Sequence, residues 1–143
     1  MKLQHKLLIA TSFLAAISFN AVADSESNDK KPTKCSLATL KGTYIWSSQS
    51  PEGAYAGRDS FDGEGGVVTQ LIGAKRSNGD SIVKSKSGSY TVNEDCTGTR
   101  SSDGETYNNF ISPDGGSFSW VETDGSSVYS GIETRVSKAL LVK

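Results

Sequence analysis

From Gly42 onward, apolar and polar residues alternate in short runs, and no stretch carries a helical period over three turns. The runs are rich in β-branched and aromatic residues, and glycine, asparagine, aspartate and proline punctuate them. The pattern predicts strands at roughly 42–49, 54–62, 67–74, 82–93, 97–102, 105–112, 117–123 and 127–137. Turn signals separate them at Pro51-Glu52-Gly53, Asp62 to Gly66, Asn78-Gly79-Asp80, Glu94 to Gly98, Asp103-Gly104, Pro113 to Gly116 and Asp124-Gly125. Asn-Gly and Asp-Gly tolerate positive φ and favour tight hairpins, so consecutive strands should pair antiparallel. Such a meander can close into an eight-stranded antiparallel up-and-down barrel, which removes its edges. A two-sheet sandwich is the competing arrangement, and the absence of a long crossover favours the barrel.

Ahead of the strands, Cys35 to Lys41 fits one helical turn, with Leu37 and Leu40 on one face. Residues 24–34 carry no apolar side chain beyond one proline and read as a disordered polar leader. Residues 1–23 have a basic start (Lys2, Lys6), an apolar stretch shorter than a bilayer span, and small residues at Ala21 and Ala23. That is the pattern of a cleaved signal peptide, so the domain is expected at 35–143, periplasmic or secreted, with no membrane anchor.

Export removes His5, the one histidine, and with it serine-histidine mechanisms and imidazole metal sites. It also removes Lys2 and Lys6 from the 15 basic residues while keeping all 16 acidic ones, so no basic footprint for nucleic acid survives. Cys35 and Cys96 would meet in an oxidising compartment, and a disulfide between them is expected. Closing that loop stabilises the fold by about 4 kcal/mol.

Within each strand, alternation groups Tyr44 with Trp46, Tyr55 with Gly57, Asp59 and Phe61, and Phe118 with Trp120 and Glu122, and the aromatic side is expected to face inward. Asp59 and Glu122 thus fall in line with bulky aromatics and become candidates for proton transfer, although a strand-end acid is more often a hydrated rim residue. Arg135 is expected to close over Trp46 and bond main-chain carbonyls. The Asp59-x-Phe61-Asp62-Gly63-Glu64 cluster lacks the spacing of a calcium loop and reads as a hairpin turn, so no metal is expected.

Three stretches, Cys35 to Tyr44, Ala56 to Gly65 and Gly88 to Thr99, resemble small exported bacterial proteins of the allene oxide cyclase barrel-like group. Gly42, Tyr44 and Trp46 opening the first strand, with Arg135 on the last, are also similar to the calycin barrels. The resemblance implies an interior cavity for a small hydrophobic or lipid-like molecule, and no cofactor. With only Trp46 and Trp120 as tryptophans, biotin is a poor candidate. The leading expectation is ligand binding without chemistry among Tyr44, Trp46, Phe61, Tyr90, Phe118 and Trp120. The alternatives are a cofactor-free cyclase or isomerase using Glu122 or Asp59, and a secreted protein-binding or inhibitor module.

Overall fold

The computed structural model describes residues 34–51, 53–75, 77–124 and 128–141. The expected signal peptide (1–23) and all but the last residue of the expected polar leader (24–34) lie outside the described residues. Among the described residues eight strands follow one 3-10 turn, Leu37–Leu40: β1 (Gly42–Gln49), β2 (Gly53–Phe61), β3 (Gly66–Lys75), β4 (Ser81–Val92), β5 (Thr97–Ser102), β6 (Glu105–Ile111), β7 (Ser117–Glu122) and β8 (Ser130–Ser137). Each pairs antiparallel with the next, and β8 returns to β1, giving a closed up-and-down barrel. The sandwich alternative is excluded. Each boundary falls at a glycine, proline or Asx turn, because these residues accept conformations that strand residues resist. At the β5–β6 hairpin, Asp103 (φ 58°) and Gly104 (φ 83°) both take left-handed values, the geometry of a two-residue primed turn.

One end of the barrel is packed solid. Tyr44 and Phe61 (each fully buried), with Phe118 and Tyr90, meet edge to face at centroid distances of 5.0 to 5.6 Å. Leu40 of the 3-10 turn seals the plug from outside. The Cys35–Cys96 disulfide ties this turn to the β4–β5 connection, and the Tyr90 hydroxyl donates to the Leu37 carbonyl at 2.9 Å. Tyr44 donates to the Gly115 carbonyl at 2.5 Å, joining the plug to the β6–β7 turn. Burial pushes the phenols of Tyr44 and Tyr90 up to about 12, so both remain donors.

Asp62, in the sequence cluster that invited a calcium reading, caps its own turn. Its Oδ1 accepts from the backbone N–H groups of Glu64, Gly65 and Gly66 at 2.7 to 3.0 Å. Among the described residues no group of acidic or cysteine side chains is arranged to hold a metal ion.

Candidate functional site

The other end of the barrel, where the β1–β2, β3–β4, β5–β6 and β7–β8 hairpins turn, opens into a cavity of about 190 Å³. Its walls are aromatic (Trp46, Tyr55, Tyr107, Trp120, Tyr129) and charged (Lys84, Lys86, Arg100, Glu105, Glu122). Period-two alternation explains the mixture: apart from Tyr129, which precedes β8, each of these positions is on the inward parity of its strand, and the same parity that supplies rings also supplies charges.

Beneath the cavity lies a buried ionic centre. Arg100 on β5 donates through Nη1 to Asp59 Oδ2 on β2, and to Glu133 Oε1 on β8 at 2.9 Å. Both carboxylates are fully buried, and Arg100 is 4% exposed. The guanidinium also lies 4.5 Å from the ring centroid of Tyr107 and 5.8 Å from that of Trp120, so rings stabilise the charge from the cavity side. Burial raises the Glu133 carboxyl to about 7 even though Arg100 opposes the shift. Asp59 is therefore no rim residue. Its pairing with Tyr44 and Thr69 places it in the middle of the barrel, and its carboxylate is committed to Arg100.

Nearer the mouth, Lys86 bonds Glu105 at 2.7 Å, and Tyr107 donates to the same carboxylate at 2.8 Å. Burial works against the Glu105 charge, but these two bonds outweigh it and hold the pKa below its usual value. Glu122 sits at the rim as alternation allowed, yet it is only 9% exposed. Its pKa is raised, first by desolvation and then by the charges of Glu105 and Asp124.

The six side chains expected to form one cage divide into two groups. Trp46 and Trp120 line the cavity and meet edge to face at 6.1 Å. Tyr44, Phe61, Tyr90 and Phe118 are inside the plug and do not line it. Alternation makes all six inward-facing but says nothing of height along the barrel axis. Arg135 does bond a main-chain carbonyl, that of Asp114 at 2.9 Å, but at the closed end, where it pairs with Tyr44 and not with Trp46 as expected. Glu133 is the residue that pairs with Trp46.

Glycines make room for the rings. Trp46 lies against Gly57, Tyr55 against Gly73 and Trp120 against Gly131, each a cross-strand partner. A Cβ at Gly131 would stand 2.7 Å from Trp120 Cζ2. Sequence reasoning did not single out Arg100, Glu133, Lys84, Lys86, Glu105, Tyr107 or Tyr129 as site residues. The available signal was charge on the inward parity of strands that also carry inward rings.

No protein-family model and no curated protein matches the chain. Among solved structures it is similar to a de novo designed fluorescence-activating β-barrel, at 19% identity and a TM-score of 0.45, over 69% of this chain and 96% of that one.

Proposed function

We propose that the protein is an exported barrel that binds a small ring-bearing ligand in its open half, without chemistry. The observation that carries this reading is the contrast between the two ends: one filled by four interlocking rings, the other left as a cavity ringed by aromatics. A void of about 150 Å³ accommodates benzene, so about 190 Å³ suits a one- or two-ring molecule better than a long acyl chain. The ligand class is thus narrower than the hydrophobic or lipid-like molecules suggested by the allene oxide cyclase barrel-like resemblance. Export is supported by the disulfide, which persists in oxidising compartments. No helix among the described residues is long and apolar enough to cross a membrane.

The test uses the protein's own reporters. Its two tryptophans both line the cavity, so the whole indole emission reports on it. Titration with a panel of one- and two-ring compounds is expected to give saturable changes in emission, reduced in Trp46→Phe and Trp120→Phe. No saturable change across the panel would overturn the reading.

A further inference from the structure

We propose that the cavity is built for a protonated monoamine, whose ring body lies among Trp120, Tyr107 and Tyr129 and whose ammonium is held by Glu122. The inference rests on the small-ligand reading above and specifies the ligand's charge. The barrel interior holds four carboxylates at or below the cavity, and three have partners: Asp59 and Glu133 share Arg100, while Glu105 takes Lys86 and Tyr107. Glu122 is the exception. It faces the cavity, is 9% exposed, and has no side-chain hydrogen bond or ion pair among the described residues. Lys86, whose charge reaches it, is engaged by Glu105 at 2.7 Å and Asp103 at 3.8 Å. A nearly buried carboxylate without a partner is costly, and a cation entering the cavity would supply the missing one.

The surroundings suit a cation as well. Tyr107 is the cross-strand partner of Glu122, Trp120 lies two residues back on the same face, and the Glu122 N–H donates to the Tyr129 carbonyl at 2.9 Å. Electron-rich ring faces attract ammonium groups, and Arg100 already uses Tyr107 and Trp120 in this way from below. An anionic ligand would bring a further negative charge close to Glu105 and Glu122. Its available cation, Lys84, is exposed and hydrated, and so gains less from pairing. With one unpartnered carboxylate, the site matches one ammonium.

Three probes of similar size and different charge provide the test: phenethylamine, 2-phenylethanol and 3-phenylpropanoate, titrated into the full chain by indole fluorescence and calorimetry. Phenethylamine is expected to bind at least about ten-fold more tightly than either of the others, the worth of one charge-assisted hydrogen bond. Glu122→Gln, nearly isosteric and checked for folding by circular dichroism, should erase that advantage, bringing phenethylamine to the affinity that 2-phenylethanol shows for the same variant. Lys84→Gln, which removes a like charge from the cavity wall, should not reduce the preference for the amine. Equal affinities for all three probes, or a preference for 3-phenylpropanoate lost in Lys84→Gln, would overturn the amine assignment while keeping the small-ligand reading. If none of the three binds, the amine assignment falls, and failure of the wider ring panel would remove the parent reading too.

Discussion

Replacing Glu133 with glutamine probes the ionic centre that separates plug from cavity. With both carboxylates ionised, Asp59 and Glu133 set two negative charges against one guanidinium, all away from water. Desolvation lifts the Glu133 carboxyl from 4.5 to about 7, with Arg100 pulling the other way. The folded chain therefore holds a proton on Glu133 across that window that the unfolded chain has released. Stability is then greatest below the unfolded value of 4.5 and is lost as pH rises through about 7. An offset of this width corresponds to about 3 kcal/mol. With a urea dependence of roughly 1–3 kcal/mol per molar, the midpoint should fall by about 1–3 M between about pH 5 and about pH 8. Glutamine at this position still accepts from Arg100 but leaves one carboxylate on one guanidinium, so most of that fall should disappear. Glu122, also raised, contributes in the same sense, and Glu105, held low, titrates below the window. The decisive quantity is thus the difference between wild type and variant in urea unfolding with the disulfide intact. A wild-type midpoint that is flat or rises over this range, or a Glu133→Gln variant that falls as steeply, would refute the reasoning.

Gly131→Ala forces the Trp120 indole to move. The expected outcome is a loss of about 1–3 kcal/mol in chemical unfolding, a shifted tryptophan emission and weaker ligand binding. Tyr44→Phe leaves the Gly115 carbonyl without its 2.5 Å donor at the opposite end, so it should cost about 1–3 kcal/mol while ligand affinity by fluorescence titration stays unchanged. Reducing the Cys35–Cys96 bridge, or replacing both cysteines with serine, should lower stability by about 4 kcal/mol in equilibrium unfolding.

The strand boundaries were legible because turn chemistry is local. Asp103-Gly104 encodes its turn in two residues, Asn78-Gly79 marks the longer β3–β4 connection, and all eight strands fall within a few residues of where the pattern puts them. Side-chain facing was legible for the same reason, since parity is fixed by the pleat. What the sequence did not disclose is depth. Tyr44 and Trp46 share a face, but the first is in the plug and the second in the cavity wall, one rung apart on β1. Asp59 reads as a strand-end acid until its pairing with Tyr44 and Thr69 sets its height. Arg100 sits in a serine- and threonine-rich strand with no aromatic neighbour in sequence, and only register brings Asp59, Glu133, Tyr107 and Trp120 around it.

Parity and depth together explain why the open half carries charge at all. A barrel this narrow cannot be filled by rings along its whole length unless every inward position is large, and here several inward positions are glycine, with Gly57, Gly73 and Gly131 each covered by a ring from the next strand. Those rings cover the glycines across neighbouring strands, and beside them the charged residues reach inward to one another. Arg100 then forms the boundary: bonded to acids from β2 and β8 across the barrel, it supports the cavity floor without filling it. Removing it would leave two buried carboxylates without a counter-charge, a loss of about 3–5 kcal/mol in unfolding measurements. Floor and plug would then weaken together, whereas Glu122→Gln removes an unpartnered carboxylate at the rim and should not lower stability at neutral pH. An Arg100→Met variant with wild-type stability would mean that the plug alone holds the barrel closed.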